Sequence, residues 1–239
     1  MTPPIVFLHG AGLGGWMWRP QVQTLTQFRC ITPDLPGHGA SLGTPWSSIQ
    51  DGARWVAELI RREAGGRAHV VGLSLGAVIG YELLTAFPDS VDRLVLSGGN
   101  GTGKPGRSMM GRFMRAMMPL ARSRLLVAAT LAAMKMPKED RPKGHQAMAE
   151  MSAESLSTMV EQVLAYRLDE VLRSRPHRVL AIAGSMDAPT IRHTVNRLAE
   201  MMPNAEAREI PRGLHTWNWQ YPELFSRTVA EWFLATRDS

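Results

Sequence analysis

The pentapeptide Gly72-Leu73-Ser74-Leu75-Gly76 sets a serine between two periodicities. Before it, Ala68-His69-Val70-Val71 is a short apolar run suited to a buried parallel strand. After it, Leu75 to Leu84 repeats apolar residues at helical spacing, interrupted by Gly80. A serine at so tight a strand-to-helix turn sits on strained backbone, and small flanking residues allow the close approach that such a turn demands. Its hydroxyl is then held up at the sheet edge, with the Leu75 amide aimed where an oxyanion would form. A lone hydroxyl is a poor nucleophile, so this chemistry needs a base and an acid to orient it.

Among the seven histidines, His215 has the best placement for a base. It follows a predicted strand (Ala205 to Ile210) and the loop Pro211-Arg212-Gly213-Leu214, where open α/β sheets place ligands. His69 lies in a strand, His145, His177 and His193 occupy helical or pre-strand contexts, and His9 and His38 sit in glycine turns. For the acid, Arg178 to Ala183 reads as a strand ending in Gly184-Ser185-Met186-Asp187. Asp187 could instead cap the helix that Pro189 helps to start. The preceding strand, however, leads into Ser97-Gly98-Gly99-Asn100 and offers no carboxylate, which favours Asp187 as the acid. Asp34 is its rival, but Asp34-Leu35-Pro36-Gly37-His38-Gly39 reads as a self-bonded turn. The turn His9-Gly10-Ala11-Gly12-Leu13-Gly14-Gly15 lacks the dinucleotide-binding spacing. It can instead aim the Ala11 amide at the point faced by the Leu75 amide, completing an oxyanion hole.

These residues require a parallel sheet with crossover helices, and short apolar runs alternating with helical patterns supply it. Strands are expected at about 4–8, 28–33, 68–73, 92–97, 177–183 and 205–210, and helices near 15–27, 48–64, 75–87, 188–202 and 218–236. The gap after the fourth strand is too long for one crossover. The insertion, residues 104–175, opens on the breaker cluster Gly101-Thr102-Gly103-Lys104-Pro105-Gly106 and reads as a helical cap, with 1–103 and 176–239 forming the core. It carries Met109, Met110, Met114, Met117, Met118, Met134, Met136, Met148, Met151 and Met159, against 15 methionines in all. Methionines adapt to varied apolar groups, so they either line a pocket or pack the cap onto the core. Gly10 and Gly12 of the first turn, Met114 and Met118 of the insertion, and Trp217 are expected to contact substrate.

The chain of 239 residues suits one α/β domain with an insertion, and 44% hydrophobic with 20% charged residues is an ordinary globular balance. No charged segment precedes a long apolar stretch, so neither a secretory signal nor a membrane span is expected. Cys30 is the single cysteine, which suits a reducing cytoplasm. The net charge of +6 and pI near 10.1 raise a nucleic-acid reading. The basic residues are scattered except for Arg107, Arg112, Arg115, Arg122 and Arg124, and no nucleic-acid-binding signature surrounds them. A solvated arginine-rich surface or an anion-steering role accounts for that stretch. Oligomeric state is not legible.

In this order (His9-Gly10, Asp34 to Gly39, Ser74, Asp187, His215, then Tyr221-Pro222-Glu223-Leu224-Phe225) the motifs resemble those of α/β-hydrolase-fold serine hydrolases over essentially the whole chain. The resemblance implies a catalytic triad of Ser74, Asp187 and His215, with no metal or cofactor. The family usually has two more strands before its oxyanion turn, so the sheet should be shortened to about six strands, with the second near an edge. Serine at 74 departs from the haloalkane dehalogenases and epoxide hydrolases, which use a carboxylate. Gly14-Gly15-Trp16-Met17-Trp18 is similar to a pattern of plant-type methyl esterases and hydroxynitrile lyases, but Ala188 stands where the lyases need a lysine. Carbon–carbon bond hydrolases commonly have tryptophan after the histidine, and this chain has Thr216. The expectation is therefore hydrolysis of a small or medium apolar ester or thioester. Carbon–carbon bond hydrolysis or lactonase activity is the alternative within the fold, and a non-catalytic ligand-binding receptor is the alternative outside it.

Overall fold

A computed structural model of the chain describes residues 2–103 and 123–235. In chain order the main elements are β1 (Ile5–Leu8), α1 (Arg19–Thr24), β2 (Cys30–Ile31), α2 (Ile49–Glu63), β3 (Ala68–Leu73), α3 (Leu75–Ala86) and β4 (Val91–Ser97). After the undescribed stretch come α4 (Arg124–Ala133), α5 (Arg141–Glu150), α6 (Ala153–Ala165), β5 (Arg178–Gly184), α7 (Pro189–Met201), β6 (Ala205–Ile210), α8 (Trp217–Gln220) and α9 (Pro222–Leu234). The six strands form one parallel sheet in the order β2-β1-β3-β4-β5-β6. The two-residue β2 is its edge, as expected for a sheet shortened at that side.

Strand side chains alternate between two apolar layers, as a period of two requires. Val6, Leu8, Val70, Leu94, Leu96, Val179 and Ala181 face α2, α3 and α7. Ile5, Phe7, Val71, Leu73, Val95, Leu180 and Ile182 face Trp18, Trp217, Phe225 and Trp232. The helix α3 is buried from Leu75 to Leu84, so its apolar residues run all round rather than along one stripe. Gly76 permits this, since a Cβ there would collide with the Leu8 carbonyl of β1.

Two expected helices divide. Residues 15–27 form a 3₁₀ turn, Gly15–Trp18, followed by α1. The last helix breaks at Tyr221, because Pro222 starts a new one as its first residue. The chain leaves the core after β4 and returns before β5 through adjacent backbone. Thr102 and Arg167 form an antiparallel bridge, flanked by Leu168 N donating to Gly101 O at 3.1 Å and Gly103 N donating to Tyr166 O at 2.9 Å. Asn100 Nδ2 caps the end of α6 through the carbonyls of Val163 and Leu164. Among the described residues, no helix is long and apolar enough to cross a membrane.

Candidate active site

Because the strands are parallel and in register, their carboxyl ends share one rim. Leu8 pairs with Gly72, Leu73 with Ser97, Ser97 with Ile182 and Gly184 with Ile210. The chain order reverses between β1 and β3, which is where such sheets hold ligands. Ser74 stands at that point, directly after β3, with φ 56° and ψ −112°. This is a left-handed conformation that residues with a Cβ rarely adopt. Its amide donates to Ser97 O at 2.9 Å, which fixes the turn against β4.

Asp187 follows β5 and is buried. Its Oδ2 accepts from Gly184 N at 2.9 Å and its Oδ1 meets His215 Nδ1 at 2.6 Å. It does not cap α7, whose N-cap position is Ala188. A carboxylate on Nδ1 assigns the ring proton to that nitrogen and leaves Nε2 with its lone pair free to act as a base. The imidazole lies over Gly98, the residue after the Ser97 carbonyl that anchors Ser74. A Cβ at Gly98 would come within 2.7 Å of His215 Cε1, and its φ of +68° also calls for glycine. Among the described residues the Ser74 hydroxyl makes no hydrogen bond to this ring, and such bonds often tighten only when substrate binds.

The turn after β1 lies against Ser74, since a Cβ on Gly10 would be 3.6 Å from Ser74 Cβ. Gly12 N donates to His38 Nε2 at 3.2 Å and Leu13 N to Gly10 O at 3.2 Å. Among the described residues the Ala11 amide, next to Gly12, makes no hydrogen bond. The Leu75 amide is the first of α3 and has no intrahelical carbonyl to meet. The turn is braced by two neutral histidines. His9 accepts from Leu35 N at 2.9 Å through Nε2 and donates to Gly10 O at 2.9 Å through Nδ1. Burial, with the adjacent His38 adding to it, pushes the His9 pKa down to about 3, and burial lowers that of His38 as well. Asp34 ties the same region together, accepting from Gly15 N at 2.7 Å and Ala40 N at 2.9 Å. The bond from Ala40 is local, as its sequence suggested, whereas the bond from Gly15 joins the turn to the preceding one.

Beside this turn is a cavity of about 180 Å³ lined by Ala11, Gly12 and Leu13 from the core and by Leu131, Met134 and Met148 among others from α4 to α6. Gly12 is thus placed on the pocket wall. Both expectations for the methionines are met by different residues: Met134 and Met148 line the cavity, while Met136, Met151 and Met159 are buried in packing. Met114 and Met118, like Arg107, Arg112, Arg115 and Arg122, lie outside the described residues. Trp217 is a correction. It is wholly buried, packs on Phe225 at 4.5 Å between ring centroids, and donates from Nε1 to Ser97 Oγ at 2.8 Å. It supports the strand end beneath Ser74 and lines none of the cavities described among these residues. Reasoning from sequence missed Gly98 as the platform under the imidazole, although its place in Ser97-Gly98-Gly99 after β4 was a usable signal.

A strained serine turn, an acid–imidazole pair and a glycine-rich turn at one rim of a six-stranded parallel sheet define an α/β hydrolase. The chain belongs to the alpha/beta hydrolase family, whose model matches residues 5–228. It is 27% identical to a 2-hydroxy-6-oxononadienedioate/2-hydroxy-6-oxononatrienedioate hydrolase of Burkholderia vietnamiensis, over 95% of this chain and 85% of that one. It is 29% identical to a pimeloyl-[acyl-carrier protein] methyl ester esterase of Chromobacterium violaceum, over 96% and 93%. Its fold is similar to that of a hydrolase from Pseudomonas aeruginosa (TM-score 0.82, 24% identity, 98% of this chain and 91% of that one).

Proposed function

We propose that this chain hydrolyses a small or medium apolar carboxylic ester, or thioester, through an acyl-enzyme on Ser74. The observation that carries this reading is the 2.6 Å contact between Asp187 and His215, which ends over Gly98 beside the Ser74 turn. His215 Nε2 takes the Ser74 proton as Oγ attacks the carbonyl carbon, and Asp187 holds the ring and stabilises the imidazolium. The Ala11 and Leu75 amides bind the developing oxyanion, each contributing roughly 3 kcal/mol to lowering the barrier. His215 then gives its proton to the leaving alcohol or thiol. In the second half it activates a water that releases the acid.

The segment 104–175 acts as the cap, and its described part sets the acyl pocket. A cavity of ~150 Å³ lined by aliphatic and aromatic groups takes up benzene, so about 180 Å³ suits an acyl group of about six carbons or fewer. Similarity to a methyl ester esterase supports the ester reading, and similarity to a hydrolase of oxodienedioates supports the carbon–carbon alternative.

A fluorophosphonate probe tests the nucleophile, and p-nitrophenyl esters of increasing acyl length test the substrate. The probe labels the wild-type chain and leaves Ser74→Ala unlabelled, and turnover peaks between butanoate and hexanoate. Asp187→Asn lowers kcat by about four orders of magnitude. Labelling that persists in Ser74→Ala refutes the nucleophile. Labelling without ester or thioester turnover selects the carbon–carbon alternative.

A further inference from the structure

The element that walls the cavity is hydrogen-bonded to the residue that follows the base. The helix α4 contributes Val127, Thr130 and Leu131 to the cavity lining, and Met134 adjoins them. Its end is closed by a pair of reversed bonds, Lys135 N to Ala132 O at 3.0 Å and Met136 N to Leu131 O at 3.1 Å. The Met134 carbonyl, left over from the helix ladder, accepts from Thr216 Oγ1 at 2.6 Å. Thr216 is buried, whereas the His215 ring is 38% exposed and, among the described residues, is hydrogen-bonded by Asp187. The position of that ring therefore depends on the backbone at 214–216, and Thr216 is where α4 grips it. The other side of the segment is fixed too: Arg19 Nη2, just beyond the first turn, donates to Asp140 Oδ2 at 3.0 Å and Glu139 Oε1 at 3.1 Å.

We infer that Thr216 is a positioning residue that couples filling of the acyl cavity to alignment of His215 on Ser74. The inference rests on the reading of Ser74 and His215 given above. An acyl group that fills the cavity presses on α4, and the Met134–Thr216 bond carries that displacement to the imidazole. A one-carbon group leaves α4 untouched and gains nothing from the link. The coupling is thus a specificity device: chains of the right length improve the rate of the chemical step as well as binding.

The test uses methyl- and hexylphosphonofluoridates, whose reaction with Ser74 needs the base but no knowledge of the natural substrate. In the wild-type chain the hexyl probe reacts faster than the methyl probe. Thr216→Val, similar in shape but unable to donate, lowers the hexyl-to-methyl rate ratio about tenfold, the loss of one buried hydrogen bond. The methyl rate falls less than the hexyl rate, and Thr216→Ser keeps the wild-type ratio. A second readout needs no variant: backbone amides of 216–220 exchange with deuterium more slowly in the hexyl adduct than in the methyl adduct. An unchanged ratio in Thr216→Val, an equal fall in both rates, or identical exchange in the two adducts overturns the inference while leaving the nucleophile standing. Absence of any labelling of the wild-type chain overturns both.

Discussion

Replacing Ser74 by alanine and by glycine separates the strain of the turn from the chemistry of the hydroxyl. At φ 56° and ψ −112°, any residue with a Cβ carries a conformational cost of about 1–3 kcal/mol. Glycine escapes that cost but adds roughly 0.5–1 kcal/mol through the entropy of the unfolded chain. Both variants lose the hydroxyl, so its solvation cancels in the comparison. The side chain is half-buried, so removing its Cβ opens little space. Ser74→Gly should therefore be more stable than Ser74→Ala by about 0.5–2 kcal/mol. At roughly 3 °C per kcal/mol for a chain of this size, its Tm is higher by about 2–6 °C. Thermal unfolding followed by circular dichroism measures the difference, and neither variant reacts with a fluorophosphonate. A glycine variant that melts at or below the alanine variant refutes the idea that the turn stores strain for its nucleophile.

Acid should destabilise the fold through its buried histidines. His9 binds a proton near pH 3 when folded and near 6.5 when unfolded, so its contribution is complete above pH 6.5 and is lost as pH falls toward 3. The slope reaches about 1.4 kcal/mol per pH unit, and urea titrations at pH 7, 6 and 5 should show it flattened in His9→Gln. Lys135 sits exposed with φ 58° at the residue after the α4 cap, where glycine is favoured. Lys135→Gly should stabilise the chain by about 1 kcal/mol and raise Tm by a few degrees, and an unchanged or lower Tm counts against the capping argument. Met148→Ala enlarges the cavity beside Gly12 and should move the preferred ester length upward by about two carbons; an unmoved optimum would place the acyl group elsewhere.

The sheet was legible because each strand is an apolar run closed by a turn that had its own chemical reason to exist. Ser74 follows its strand directly, and Asp187 and His215 lie within three and five residues of theirs, so reading where strands stop also located the rim. What failed was contact across long separations. Thr216 meets Met134 across 82 positions, and no periodicity encodes that bond. Trp217 misled because a large aromatic beside a catalytic loop fits a pocket wall and a core equally well in sequence; the decision lay with Ser97, which accepts its indole N–H. Residues 28–33 suggested a full strand, but only Cys30–Ile31 pair with β1, since the edge lacks a second neighbour to extend it. The described methionines between β4 and β5 divided by geometry that composition cannot express, Met134 and Met148 facing the cavity and Met136, Met151 and Met159 the core.

The clasp between residues 101–103 and 166–168 has a consequence for how this enzyme could diversify. Gly101, Gly103, Tyr166 and Leu168 tie the outgoing and returning backbone to each other, so the ends of the loop between them are fixed whatever its length, while Arg19 and Thr216 hold its described part at two further points. Such a loop can be exchanged for a longer, shorter or differently shaped one without pulling β4 or β5 out of register. Chimeras joined at these residues should fold with the sheet intact and differ in which molecules they admit. Substrate scope can then drift while the Ser74 turn and Asp187 stay in place, so long as a replacement keeps an acceptor for Thr216.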